Sequence, residues 1–179
     1  LTATSAITLN AWHHIALVRN TSTLTFYVDG VANGSASSQG AAQESNNEPV
    51  AIGANREATQ YSMRGYMSNM RYTVGQALYT SDFIPANCTV TTTSQGATAS
   101  NVKFIGGTNT SSVTSFPTAA TTISVGTGSP TASSRTPMGT GAVYFDDNEG
   151  LSVPASSDIN IADNDFSMEC WFKTASGAS

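Results

Sequence analysis

The apolar residues of this chain fall into short runs rich in Val, Ile, Thr, Tyr and Phe, cut apart by Gly, Asn, Ser and Pro. No window carries an apolar stripe at helical spacing, and that restricts the fold to β-sheet. The clearest unit is Trp12-His13-His14-Ile15-Ala16-Leu17-Val18-Arg19, then the polar turn Asn20-Thr21-Ser22-Thr23, then Leu24-Thr25-Phe26-Tyr27-Val28-Asp29-Gly30. Two apolar runs joined by a short polar turn read as a hairpin, and Asp29-Gly30 supplies a second tight turn into a third strand near residue 36. The second run places Leu24, Phe26 and Val28 on one face and Thr25, Tyr27 and Asp29 on the other.

The same reading extends down the chain. A short strand is expected at 50–53 and a long two-sided one at 63–74, where Met63, Gly65, Met67, Asn69 and Arg71 share one parity and Arg64, Tyr66, Ser68, Met70 and Tyr72 the other. The run 77–85 reads as a turn that packs Leu78, Tyr79 and Phe83 and stops at Pro85. Residues 86–100 are nearly pure Thr, Ser, Ala and Gly, so 91–100 is the expected linker between 1–90 and 101–179. Beyond it come strands at 102–105, 142–145 and 151–154, and a final one at 166–173. In that last strand Phe166, Met168, Cys170 and Phe172 alternate with Ser167, Glu169, Trp171 and Lys173.

Charge and cysteine content exclude several functions. Seven Lys and Arg stand against twelve Asp and Glu, a net charge of −5, so there is no basic field for nucleic acid or an anionic membrane. No apolar stretch approaches the ~20 residues that span a bilayer, and no basic and apolar leader opens the chain. Its start at Leu1, without an initiator Met, suggests a piece of something longer. Cys88 and Cys170 form no metal-binding spacing, and Cys170 occupies an apolar slot, which predicts a buried free thiol.

With the strands in order, Asn10 to Arg19, Leu24 to Gly30, Ala51-Ile52-Gly53 and Gly65 to Tyr72 together resemble the C-terminal half of a laminin-G-like, concanavalin A-like jelly roll. Gly141-Ala142-Val143-Tyr144-Phe145-Asp146, Leu151-Ser152-Val153-Pro154 and Asp165 to Lys173 resemble the N-terminal half, in reverse order. The resemblance implies an all-β antiparallel sandwich with core side chains around Trp12, Phe26, Met168 and Phe172. It also implies 1–90 as the tail of one domain and 101–179 as the head of the next, or alternatively one circularly permuted domain. The run 76–85 with its Ser/Thr-rich connector is similar to repeat junctions of large virion proteins of tailed phages from aquatic bacteria. That likeness implies a virion surface location, or otherwise an extracellular one, with other virion proteins or copies of itself as partners.

Candidate chemistry is sparse. His13 and His14 are strand neighbours pointing to opposite faces, so they cannot share an ion and read as framework residues. No Glu-x-Asp-x-x-Glu run supplies the paired carboxylates of a jelly-roll glycanase, so no enzyme activity is expected. Asp146, Asp147 and Glu149 in one turn, with Asp158, Asp163 and Asp165 before the last strand, are the candidate hard-oxygen donors for calcium. Asn55, Arg56 and Tyr61 in a polar loop are the candidate sugar contacts, with Tyr61 as stacking face. The expected function is adhesion to host-surface glycans by a non-enzymatic tail-fibre or capsid-decoration module. A pure spacer and a secreted adhesin or lectin module are the alternatives.

Overall fold

The computed structural model describes residues 7–36, 49–55, 62–114, 118–119, 122–138 and 141–174. Its strands in chain order are β1 (His13–Asn20), β2 (Thr23–Val28), β3 (Val31–Ala36), β4 (Val50–Ile52), β5 (Arg64–Val74), β6 (Val102–Gly106), β7 (Thr118–Ala119), β8 (Ser124–Thr127), β9 (Thr131–Ser133), β10 (Ala142–Asp146), β11 (Gly150–Val153) and β12 (Phe166–Thr174). They build two antiparallel sheets, a sandwich of jelly-roll type. The larger runs β3-β2-β1-β12-β5-β10-β9, with β6 and β7 attached to β5, and the smaller is β4-β11-β8.

Local chemistry explains the N-terminal meander. Asp29 and Gly30 both take positive φ, 51° and 81°, the two-residue turn whose twist matches the flanking strands. A side chain at Gly30 would collide with the Phe83 carbonyl, so that position needs glycine twice over.

β12 lies between β1 and β5, pairing Ile15 with Cys170 on one side and Tyr72 with Met168 on the other. The segments on either side of 91–100 are therefore interleaved in a single sheet. Nor is 91–100 a bare connector. Ala86, Val90, Ala97, Val102 and Ile105 form a packed cluster with Leu78, and two 3₁₀ turns, Ser94–Gly96 and Ala99–Asn101, carry the chain across the sheet. Small side chains suffice there because the underlying sheet supplies the apolar surface, and Gln76 satisfies the backbone at Gly96 and Thr98.

Phe145, Val143, Met70, Tyr72, Leu151 and Val153 fill the space between the sheets, with Phe172 and Met168 packed against them. Trp12 is not among them: it sits on the opposite, outer face of the large sheet against Tyr66. The simple parity expected for β5 also fails, because three residues of β12, Glu169 to Trp171, face four of β5, Arg71 back to Ser68. Asn69, with φ of 51°, is the bulged residue, held by Val90 N–H donating to its Oδ1 and by its amide donating to Ser68 Oγ. The bulge puts Met67 and Met70 both toward the core and Arg71 on the outer face with Tyr66 and Ser68. Three short strands, β7 to β9, lie between 106 and 142, where the sequence pattern placed none.

Candidate functional site

The register lines up one transverse row of side chains on the outer face of the large sheet. Lys173 of β12 faces Tyr66 of β5, Tyr66 faces Tyr144 of β10, and Tyr144 faces Thr131 of β9. Trp12 precedes His13, which pairs with Phe172, and so continues the row beyond Lys173. At about 4.8 Å between strands the row extends about 19 Å. Its aromatic rings are in contact: Trp12 and Tyr66 have centroids 6.2 Å apart, Tyr66 and Tyr144 4.8 Å apart. All three are half-buried, so part of each ring meets solvent. Arg135 holds its guanidinium 5.9 Å from the Tyr66 centroid, and Arg64, two residues along β5, pairs with Asp146 at 3.0 Å.

The other half of this face is closed. Segment 77–83 lays Tyr79 and Phe83, stacked at 3.6 Å, over β1 and β2, and Tyr27 O–H donates to the Tyr79 carbonyl. Beneath lies a buried polar cluster around Glu169. His14 Nε2 donates to Glu169 Oε2 at 3.0 Å and Tyr79 O–H to the same oxygen at 2.6 Å, while Arg71 Nε donates to Oε1 at 2.6 Å and its Nη2 meets that oxygen too. Arg71 Nη1 spans the covering segment, donating to the carbonyls of Thr91 and Ser94 at 3.0 and 2.7 Å. Burial pushes the Glu169 carboxyl up, but the His14 hydrogen bond, the Arg71 charge and the Tyr79 hydroxyl together hold it below the ordinary value. Burial and the neighbouring Glu169 carboxylate push the Tyr79 hydroxyl up. With both oxygens occupied and 5% exposure, Glu169 is a structural anion, not an acid or base that a substrate could reach.

The adjacent histidines separate as strand geometry requires. His13 Nδ1 donates to Asp29 Oδ2 at 2.7 Å and its Nε2 accepts from Thr8 N–H, while His14 lies buried with Glu169 on the other face. Both cysteines are free, and burial pushes the Cys170 thiol up to about 12.

The calcium donors do not come together. Asp146 faces Arg64 at one end of β5, whereas the Asp165 carbonyl takes the Gly75 N–H past the other end, about 33 Å away at 3.3 Å per residue. Asp163 belongs to that far end. Glu149 instead secures its own turn, accepting from Asp146 N–H and Ser129 N–H, and Asp147 bends the turn with φ of 51°. Among the described residues no group of three or more His, Cys, Asp or Glu side chains is placed to hold a metal ion.

Of the expected sugar contacts, Arg56 and Tyr61 lie outside the described residues. Asn55 lines a small cleft of ≈ 140 Å³ with Ala51, Thr127 and Ser152 on the outer side of the small sheet, and among the described residues its Oδ1 has no hydrogen-bond partner. A wider apolar cleft of ≈ 230 Å³ opens between the sheets, lined by Ile15, Leu17, Phe26, Ile52, Met67 and Met168.

Residues 1–73 match Laminin_G_3, the concanavalin A-like lectin/glucanase superfamily. No curated protein and no solved structure matches the chain. The row through Trp12, Tyr66 and Tyr144 escaped the sequence reading for two reasons. Its members lie far apart in sequence, and Trp12 had been assigned to the core. The alternation of Tyr66 and Tyr144 on strands with known inner faces was the available signal.

Proposed function

We propose that this laminin-G-like domain is a non-enzymatic carbohydrate-binding module that holds its glycan on the Trp12–Tyr66–Tyr144 row. The observation that carries the reading is a line of half-exposed aromatic rings in mutual contact on an open sheet face, bordered by Arg64, Arg135, Lys173 and Asp146. Aromatic faces pack against the C–H side of sugar rings, and the charged groups beside them fix the hydroxyls. Catalysis has no support at this row, where Asp146 is the carboxylate and is paired with Arg64. The superfamily name covers lectins as well as glucanases, and the lectin side suits the geometry.

The setting we assign is adhesion to host-surface glycans from a virion surface, in a tail fibre or capsid decoration. The sparse Lys, the abundant Ser, Thr, Gly and Asn, and the junction-like run 76–85 favour it. A shallow open site binds weakly by itself, and display in many copies supplies the avidity.

The test uses intrinsic fluorescence, since the chain has two tryptophans, Trp12 and Trp171. Titration with purified bacterial surface polysaccharides should give a saturable change that disappears in Trp12→Phe. A change that survives in Trp12→Phe, or binding unaffected by Tyr66→Ala and Tyr144→Ala together, would refute the site.

A further inference from the structure

We infer that His13 is a positioning residue for the aromatic row: its ring closes the loop that carries Trp12 and releases it on protonation. Glycan binding then weakens as pH falls from about 8 to 5, the range in which histidine exchanges its proton. The inference rests on the sugar-binding reading of the row and adds its regulation. Residues 8–13 form a short loop that Asn10 turns with φ of 60°. Two hydrogen bonds close it: Asn10 N–H donates to the Thr174 carbonyl of β12 at 2.8 Å, and Thr8 N–H donates to His13 Nε2 at 3.2 Å. Strand pairing of β1 begins at His13, so Trp12, one residue before it, is aimed by this loop.

Each partner of the imidazole has a single role, and together they fix its tautomer. The ionised Asp29 carboxylate only accepts, so Nδ1, 2.7 Å from its Oδ2, carries the proton. The Thr8 N–H only donates, so Nε2 keeps its lone pair. Protonation puts a hydrogen on Nε2, donor against donor, and leaves the loop with the Asn10 bond. Asp29 still holds the ring through Nδ1, and its Oδ1 accepts from His14 N–H at 2.9 Å, so the turn between β2 and β3 stays in place and the change is confined to 8–12. Asp29 is the charged group facing His13 from that turn. Across the ladder on β12 stands Phe172, with Lys173 beside it on the opposite face, and Ile7, Thr8 and Leu9 carry no charge. Carboxylates and lysine ordinarily titrate outside this pH range. A histidine that served only to hold Asp29 would need no lone pair turned toward the loop.

The isotope-labelled full chain should be titrated by NMR from about pH 8 to 5 without glycan. The Thr8 amide should shift upfield and exchange faster with water in step with the His13 ring signals, which are separate from those of His14. In parallel, an uncharged member of the panel of purified bacterial surface polysaccharides should be titrated against the tryptophan fluorescence at both ends of the range. We expect affinity to fall about two- to five-fold in acid, the lower part of what one hydrogen bond contributes, because Thr8 is exposed and water takes over its N–H. His13→Phe should show the weaker affinity at both pH values. His13→Gln, whose amide offers a donor to Asp29 and an acceptor to Thr8 without titrating, should match wild type at the higher pH and keep that affinity in acid. Thermal melts of both variants are the folding controls. A Thr8 amide that ignores the His13 titration, or an affinity that is flat with pH, would overturn this inference and leave the sugar reading intact. A fall of the same size in His13→Phe would put the pH effect elsewhere and would overturn it too. Binding of no polysaccharide at either pH would overturn both readings.

Discussion

Removing the Glu169 carboxylate tests the internal logic of this fold more sharply than any surface change. Glu169→Ala takes the acceptor from His14, Arg71 and Tyr79 at once, and leaves Arg71, at 1% exposure, as a buried cation with no anion. Breaking a buried pair on one side costs about 3–5 kcal/mol, because the surviving charge has already given up its water. For a chain of this length each kcal/mol is about 2–4 °C of melting temperature, so a fall of roughly 6–20 °C is expected. Urea unfolding followed by tryptophan fluorescence measures the free energy directly, with Trp12 reporting from the N-terminal portion and Trp171 from the C-terminal one. The double variant Arg71→Met, Glu169→Leu removes both charges and should recover at least ~2 kcal/mol of the loss. Arg71 stands before the 91–100 stretch and Glu169 after it, so such coupling also requires the two portions to fold as one sandwich. A loss below ~1 kcal/mol in Glu169→Ala, or strict additivity in the double variant, would refute the reasoning.

Other consequences follow from the same geometry. Because the Glu169 carboxyl is held below its usual 4.5, its contribution is complete above that pH and is lost as pH falls through the lowered folded value; the stability gap between wild type and Glu169→Ala should therefore narrow on acidification below about 4.5, as urea titrations at stepped pH would show. Gly30→Ala adds a methyl against the Phe83 carbonyl at a φ of 81° and should cost at least 1–3 kcal/mol in the same assay. A thiol reagent at pH 8 should label Cys88, which is exposed, and spare Cys170, whose burial pushes its pKa up to about 12, until denaturant is added; mass spectrometry counts one adduct and then two.

How much of this was legible without coordinates depends on the range of the interaction involved. The hairpin from Trp12 to Gly30, the inner face of β12 and the burial of Cys170 depend on alternation and turn chemistry within a few residues, and the sequence carries both in full. The packing of 86–101 was not legible. Its Ala, Ser and Thr look like linker, and what makes them a layer is packing against Val102 and Ile105 of β6. The bulge at Asn69 likewise escaped, since an extra residue leaves no mark in composition yet exchanges the faces of Met70 and Arg71.

The candidate sites divide along the same line. The calcium set failed to assemble because acidic residues close in sequence, such as Asp146 and Glu149, were placed at the opposite end of a long strand from Asp163. The aromatic row succeeded for the complementary reason: Trp12, Tyr66, Tyr144 and Lys173 are scattered through the chain and meet only because β1, β12, β5 and β10 lie side by side in one register. By itself the sequence determined that this chain is built from half-buried antiparallel strands, since side-chain alternation is a local property with a period of two, and the two-sheet sandwich followed from the family resemblance. Only the tertiary structure decided which face of the large sheet stays open, because covering it is the work of a segment distant in sequence, anchored by Arg71 to a carboxylate almost a hundred residues away.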